Sequence, residues 1–220
     1  MEILLILLGI AGLAYSIIIH EVSHGWVADR LGDPTPRLSG RLTLNPIPHV
    51  DLLGTIIVPL IMFLSPLHII FGWAKPVPID PYNLKEPKRD ILLISLAGPL
   101  SNVILAVILA IFYSIISTGG NLGLTSQLLG ELLKTMVGLN VALAVFNLIP
   151  VHPLDGGKIL VGLLPYKEAR DFDIFMNRYR MILLVFLIFP IFGGMSIVSQ
   201  LLYPIISFIL NLLIPGFPKY

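Results

Sequence analysis

The chain has 220 residues, of which 56% are hydrophobic and 12% are charged, and its formal net charge is +1. The charged share is about half that of an ordinary soluble domain, and the mean hydropathy is +0.92. So few charged side chains cannot cover a water-soluble surface, and a nearly neutral chain offers no basic stripe to nucleic acid, which is not expected as a partner. The absence of cysteine excludes disulfides and thiolate metal sites, so any metal must be held by His, Asp or Glu.

Long apolar segments follow one another along the chain and predict an all-α integral membrane protein. We expect a polytopic helical bundle of about five to six transmembrane segments, because several of the apolar stretches exceed the roughly 20 residues that a spanning helix needs. The first stretch lacks a basic start and a small-residue cleavage site, so we expect a retained helix and not a secretory signal. Charged, Pro-rich and Gly-rich stretches between the segments, including Tyr166 to Arg180, are interpreted as loops. The apolar segments are 3–28, 51–72, 91–117, 127–150, 181–192 and 195–214.

Basic residues predict which ends of these segments face the cytoplasm. Arg30, Arg37 and Arg41 follow the first segment, and a second basic group follows the fourth, so the positive-inside rule places both regions in the cytoplasm. Three complete crossings between the two regions would put them on opposite sides. We therefore predict that the segment 51–72, which two prolines interrupt, is a re-entrant hairpin buried against protein or facing a wet cavity.

The first segment ends in a metal-binding pattern. His20-Glu21-Val22-Ser23-His24 matches H-E-x-x-H, in which histidines four residues apart lie on one helical face and bind the same zinc ion. Glu21 lies close enough to take a proton from the metal-bound water. The alternative is a pair of hydrogen-bonded histidines near a helix end. Three ionisable groups within one turn of a membrane helix are costly unless they pair or bind metal, which favours the metal site.

A third ligand is predicted at the end of the fourth segment. Catalytic zinc sites commonly have three protein ligands, and Asp155 lies on the same side of the membrane as the histidines. Pro150, Pro153 and the glycine pair that follows Asp155 are expected to break the helix and let the carboxylate turn inward. An ordinary Asp-Gly-Gly turn is the alternative. His152 is a rival ligand, or a residue that supports the ligands without touching the metal.

Four motifs together resemble the site-2 protease family of intramembrane zinc proteases, in particular its short bacterial and archaeal members without PDZ or CBS domains. They occur in the family's order over residues 20–157. The motifs are the His20 to His24 pentapeptide, Gly72-Trp73-Ala74-Lys75-Pro76-Val77-Pro78, Gly98-Pro99-Leu-Ser-Asn102 opening a later helix, and Asn147-Leu-Ile-Pro150 leading to Leu154-Asp155-Gly156.

The resemblance implies one zinc ion per chain, with His20, His24 and Asp155 as its ligands and Glu21 as the general base. It further implies that two asparagines at the ends of core helices bind the substrate strand or steady the oxyanion. The alternative for both asparagines is that they cap helix ends. These asparagines are Asn102 and Asn147.

The expected function is hydrolysis of peptide bonds in or near transmembrane segments of a membrane-protein or peptide substrate, close to the cytoplasmic face of a prokaryotic plasma membrane. We expect a single membrane-embedded domain over 1–220, with a catalytic core over about 1–165 and C-terminal helices over about 180–214. A metal-ion transporter is the main rival, but only Glu131 lies deep in the apolar chain outside the motifs. The other rival, an inactive membrane scaffold, is disfavoured by the complete ligand set and Glu21.

Overall fold

The computed structural model describes residues 2–64, 72–119, 123–188 and 197–217, and within these ranges the chain is helical without strands. The prediction of an all-α bundle is confirmed. The long helices are α1 (Glu2–Leu31), α4 (Pro87–Thr118), α5 (Leu124–Asn147), α7 (Tyr166–Ile188) and α8 (Ile197–Leu213). Shorter elements are α2 (Thr35–Leu38), a 3-10 turn (Ile47–His49), a π-helical stretch (Leu52–Ile57), α3 (Val58–Leu64), a second 3-10 turn (Pro81–Asn83) and α6 (Asp155–Leu163).

Among the described residues, the helices α1, α4 and α5 are long and apolar enough to cross a membrane. Their outer faces are apolar as well as exposed. On α4, for example, Ile104, Ile108, Ile111 and Ile115 form one face and are 43–61% exposed. A patch of this kind marks a surface that something apolar must cover, and lipid tails cover it along a spanning helix. The chain is therefore a multi-pass integral membrane protein.

Helix α4 is the centre of the bundle and packs against α1, α5 and α6. Its contact with α5 uses small residues, since Ala106 and Ala110 lie against Val137 and Val141 in one buried cluster, to which α8 adds Leu210. Small side chains allow two helices to approach closely, and close packing is a main source of helix association in lipid. The close contact brings α4 and α5 together, and α1 packs against both helices.

The two ends of the predicted re-entrant segment lie next to each other and are joined by backbone hydrogen bonds. The Trp73 N–H donates to the Gly54 carbonyl at 3.0 Å, and the Lys75 N–H donates to the His49 carbonyl at 2.9 Å. Residues 65–71 of the segment lie outside the described residues. The described ends of the segment therefore lie side by side, which is compatible with a re-entrant hairpin. That the segment does not cross the membrane stays a prediction.

Two local predictions were wrong. The stretch from Tyr166 to Arg180 is not a loop but the first part of α7. It contains neither Gly nor Pro, and its Glu, Lys and Arg residues are good helix formers that also suit the membrane surface. The Gly98-Pro99 pair does not open a helix either, because α4 begins at Pro87 and contains both residues.

Candidate active site

Three side chains from distant parts of the sequence converge inside the bundle. His20 and His24 lie on α1, Asp155 is the first residue of α6, and each is only 6–7% exposed. The Nε2 atoms of the two histidines are 3.0 Å apart. The Oδ2 atom of Asp155 lies 3.0 Å from Nε2 of His20 and 3.2 Å from Nε2 of His24. The structure thus brings together all three residues that the sequence analysis predicted as ligands.

The outer ring nitrogens determine which atoms face this centre. His24 Nδ1 lies 2.6 Å from the Ile94 carbonyl oxygen, which can only accept, so Nδ1 carries the hydrogen. His20 Nδ1 lies 2.6 Å from Asn102 Oδ1, which also accepts. In neutral imidazoles both Nε2 atoms then present lone pairs inward, towards a buried Asp155 Oδ2 that has no hydrogen-bond donor. Three lone pairs about 3 Å apart repel one another, and a cation between them removes the repulsion.

The donor set and its spacing fit zinc. Two imidazole nitrogens and one carboxylate oxygen make up a known three-ligand set of catalytic zinc sites, which keep a fourth position for water. Ligand atoms about 2.0–2.1 Å from a tetrahedral ion lie about 3.3 Å apart. The separations here, 3.0 to 3.2 Å, are close to that value. Among the described residues this is the one group of three or more His, Asp or Glu side chains arranged to hold a metal.

Gly98 allows α4 to approach the histidines. A Cβ atom at this position would overlap His24 Nε2 and would lie 2.6 Å from His20 Cε1. Any larger residue would therefore displace the imidazoles or occupy the space into which their lone pairs point.

The glycines after Asp155 have a similar role. The fourth segment is interrupted before Asp155 as predicted, since α5 ends at Asn147 and α6 begins at Asp155. The prediction that the glycine pair contributes to this break was wrong, because both glycines lie inside α6. A Cβ atom on Gly156 would overlap the Ile149 carbonyl oxygen, and one on Gly157 would lie 2.6 Å from His152 Nδ1. The absent side chains allow the start of α6 to pack directly on the turn that follows α5.

Glu21 is half-buried beside His20 and contacts an extended stretch that we call the strap, residues 74–80. Its Oε2 atom accepts a hydrogen bond from the Val77 N–H at 3.0 Å. The Arg41 guanidinium, only 5% exposed, holds the preceding residues by donating to the carbonyls of Lys75 (2.7 Å) and Pro76 (2.9 Å). Arg41 is thus a buried structural cation, whereas the sequence analysis counted it among the basic residues of a cytoplasmic loop.

The far end of the strap is held by Asp33, which is fully buried. The Asp33 carboxylate accepts from the Asp80 N–H at 2.7 Å, the Asn83 amide at 2.9 Å and the Thr35 hydroxyl at 2.5 Å. Burial alone would raise the pKa of Asp33, but the hydrogen bonds from Thr35, Asn83 and Asp80 outweigh burial and lower it below its ordinary value. The strap is therefore tied to the end of α1 by an ionised carboxylate.

Three other residues singled out in the sequence have hydrogen-bond or ion-pair partners outside the three-ligand centre. His152 is buried and its Nε2 lies 2.9 Å from Asp173 Oδ1 of α7, so it is not among the three converging ligands. Asn147 is half-buried and donates to the Leu143 carbonyl at 3.0 Å. Its substrate role stays a prediction. The acidic residue on which a transport path would depend, Glu131, pairs instead with Lys134 at 2.8 Å.

Asn102 lies behind His20 and is fully buried. Its amide contacts two residues that the sequence analysis missed, Ser16 and Asn140. Both are polar residues surrounded by apolar residues in their helices. The signal that could have identified them is that polar residues inside a membrane are mostly functional. The predicted role of Asn102 in substrate binding stays a prediction, since both of its amide hydrogens are used inside the bundle.

Two histidines, an aspartate and an adjacent Glu are the groups that a zinc protease needs, and comparison of the chain with known protein families gives a matching result. Residues 8–189 match the description "Peptidase family M50". The chain belongs to peptidase family M50. This result confirms the resemblance to site-2 proteases, and the M50 chain is a zinc metalloendopeptidase.

Curated relatives of this M50 protein carry matching names. They are "Putative zinc metalloprotease YwhC" of Bacillus subtilis, 39% identical over 155 residues, "Zinc metalloprotease MJ0392" of Methanocaldococcus jannaschii, 28% identical over 179, and "Putative zinc metalloprotease Rip2" of Mycolicibacterium smegmatis, 30% identical over 163. The alignments cover 70%, 79% and 68% of this chain, but 67%, 40% and 54% of those relatives. The chain thus spans between two fifths and two thirds of their length. No solved structure matches it.

Proposed function

We propose that this M50 protein is an intramembrane endopeptidase that cleaves membrane proteins in or near their transmembrane segments, close to the cytoplasmic face of a prokaryotic plasma membrane. The depth of the site supports this proposal. His24 lies seven residues before Leu31, the last residue of α1, which corresponds to about 10 Å of helix. The basic residues Arg30 and Arg37 follow at the nearer surface, which supports a cytoplasmic location.

The observation that carries the proposal is the convergence of three buried lone-pair donors next to Glu21, a carboxylate on the same helix as the two histidines. His20, His24 and Asp155 would hold the zinc ion. When bound, zinc lowers the pKa of a water molecule towards neutrality and polarises the carbonyl of the scissile bond. Glu21 accepts the proton that the attacking water loses and delivers it to the departing amine.

Substrate positioning is proposed to involve the strap. A transmembrane substrate uses its backbone groups within its own helix, so it must unwind locally before its carbonyl can be attacked. An extended segment can pair with the unwound chain as an added strand. Three backbone groups of the strap already have partners, namely the Lys75 and Pro76 carbonyls with Arg41 and the Val77 N–H with Glu21. A substrate strand that pairs with these groups must replace the existing hydrogen bonds.

The test is cleavage of a panel of single-span membrane proteins by the purified chain in detergent, with zinc content measured in parallel. Glu21→Gln keeps the size of the side chain and removes the base. We expect about one zinc ion per chain in both proteins, cleavage by the wild type, and loss of cleavage by a factor of at least about 100 in the variant.

The controls separate the base from the ligands. Chelator-treated wild type should lose cleavage and recover it when zinc is restored. Zinc-dependent cleavage that survives in Glu21→Gln contradicts the role of Glu21. Zinc flux into vesicles, without cleavage of any panel member, would favour the transporter instead.

A further inference from the structure

A buried polar network leads away from His20 through the middle of the bundle. It passes from His20 to Asn102 on α4, then to Asn140 on α5, and returns to α1 at Ser16. Asn102, Asn140 and Ser16 are each 0% exposed. All four residues belong to helices that can span the membrane, where a polar atom without a partner is costly. The network must therefore satisfy its own donors and acceptors.

Backbone carbonyls fix the direction of the hydrogen bonds at the far end. Asn140 Nδ2 lies 2.9 Å from the Met136 carbonyl oxygen, which only accepts, so this atom is the amide nitrogen. The Ser16 hydroxyl donates its single hydrogen to the Gly12 carbonyl at 2.9 Å. Ser16 Oγ must then accept from Asn140 Nδ2, which lies 3.0 Å away. The Oδ1 atom of Asn140 is left facing Asn102.

Asn140 and the Ser16 carbonyl together determine the orientation of Asn102, and through it the tautomer of His20. Asn102 Nδ2 donates one hydrogen to Asn140 Oδ1 at 3.0 Å and the other to the Ser16 carbonyl at 3.3 Å. Its Oδ1 atom is therefore the one that faces His20 Nδ1 at 2.6 Å. Nδ1 must carry the ring hydrogen, so Nε2 keeps the lone pair that a metal requires.

We propose that Asn140 and Ser16 are positioning residues of the zinc site, which hold the Asn102 amide in the one orientation that makes His20 Nε2 a ligand. The inference rests on the proposed function, since it takes His20 as a zinc ligand. The two ends of an Asn amide differ little in shape, so sterics alone do not prevent Asn102 from flipping. A flipped Asn102 would present Nδ2 to His20 and favour the hydrogen on Nε2, where it blocks metal binding.

The main test is the zinc affinity of the purified full-length protein, measured by competition with a chelator in detergent. Asn140→Leu conserves volume and removes both the donor and the acceptor. We expect zinc affinity to fall by about tenfold or more, which is typical for residues that orient metal ligands. In cleavage assays of the zinc-saturated protein, kcat should fall while KM stays unchanged, because Asn140 is 0% exposed and offers no surface for a substrate to contact.

A matched control separates this role from ordinary packing. Val137 is also 0% exposed, lies on the same helix three residues earlier, and packs in the apolar cluster between α4, α5 and α8. Val137→Ala should lower thermal stability and leave zinc affinity within about twofold of the wild type. A fall in zinc affinity as large as that of Asn140→Leu would show that loosened packing suffices, and would overturn the inference.

Ser16→Ala gives a second, milder variant. It removes the Ser16 hydroxyl as an acceptor of Asn140 Nδ2, while the Met136 carbonyl still accepts from that nitrogen. The fall in zinc affinity should therefore be smaller than in Asn140→Leu. In the Asn140→Leu background Ser16→Ala should have no further effect, because the two residues act through one chain of hydrogen bonds. Fully additive losses would overturn the inference.

His20→Ala distinguishes failure of this inference from failure of the proposed site. If His20→Ala loses zinc and Asn140→Leu binds it like the wild type, the positioning role is overturned and the site stands. If His20→Ala binds zinc with wild-type affinity, the proposed ligand set is itself overturned, and the role of Asn140 with it.

Discussion

Gly98 shows how one absent side chain shapes the metal centre. Gly98→Ala would place a methyl group between the converging rings of His20 and His24, so at least one ring must turn away. Turning also breaks the Nδ1 hydrogen bond that directs the lone pair inward. We expect the zinc affinity of Gly98→Ala to fall by at least about tenfold, and cleavage with it. Metal analysis of the purified variant, together with the substrate panel, measures both.

Gly130→Ala is the matched control for this substitution. Gly130 is likewise a buried glycine in a spanning helix, but a Cβ atom there would meet only Tyr113 Cε2, at an ordinary 3.7 Å. The variant should keep its zinc and its activity, and it should gain up to about 1 kcal/mol of stability because Ala is the better helix former. A zinc-loaded, active Gly98→Ala would contradict the close approach of α4 to the histidines.

Residues of the site differ in how far the sequence reveals them. His20, Glu21 and His24 are predictable because one helical turn brings them together, so their spacing is local. Ser16 and Asn140 carry no such pattern, since their hydrogen bond joins residues 124 positions apart. Only the packing of α1 against α5 makes them partners, and a single sequence does not contain that information.

At the scale of elements, the strap depends on a single buried cation. Arg41 holds two consecutive carbonyls of the strap and thereby places the Val77 N–H against Glu21. Arg41→Leu removes both donors and leaves those carbonyls without their partner. We expect a stability loss of about 1.5–3 kcal/mol and about a tenfold fall in kcat, with zinc content unchanged. Thermal unfolding, metal analysis and cleavage kinetics measure the three quantities.

Arg37→Leu provides the comparison. Arg37 lies four residues earlier, its side chain is 67% exposed, and it pairs with Asp29 at the surface. Exposed pairs of this kind contribute about 0–1 kcal/mol, so stability and kcat should stay close to the wild-type values. If Arg41→Leu cleaved as fast as Arg37→Leu, the strap would have no part in aligning Glu21.

The elements also show where charge is a poor guide to structure. Arg30, Arg37 and Arg41 look alike in sequence, yet only the last is buried, because backbone carbonyls 34 and 35 positions away accept from its guanidinium. The charged stretch Tyr166 to Arg180 is a second example, since its charges predict a loop and it is the first part of α7. Charges at a membrane surface are compatible with helix, loop or burial, and tertiary contacts decide among them.

For the whole molecule, both halves of the site lie at the same ends of the helices, as three alternating spans and a re-entrant segment would require. The N-terminal half supplies two histidines on α1, and two more helices that are long and apolar enough to cross the membrane, α4 and α5, precede Asp155. An even number of crossings brings the carboxylate back to the level of the histidines. The parity argument could be made from sequence, because it needs only the basic residues and the crossings.

Single-cysteine variants can test on which side of the membrane the site lies, since the native chain contains no cysteine. Tyr82 and Tyr166 are 97% and 82% exposed on the side of the site, whereas Thr118 and Thr125 are exposed at the opposite ends of α4 and α5. In intact cells, a membrane-impermeant maleimide should label Thr118→Cys and Thr125→Cys. It should reach Tyr82→Cys and Tyr166→Cys only after permeabilisation.

The reverse pattern, with Tyr82→Cys and Tyr166→Cys labelled in intact cells, would place the site at the outer face and contradict the cytoplasmic assignment. Labelling of Tyr82→Cys and Tyr166→Cys on opposite sides would contradict the returning segment or the number of spans, because these residues flank α4 and α5. Cleavage by each variant must first match the wild type, so that the labelled proteins are folded. The topology then fixes from which side water and substrate backbone reach Glu21.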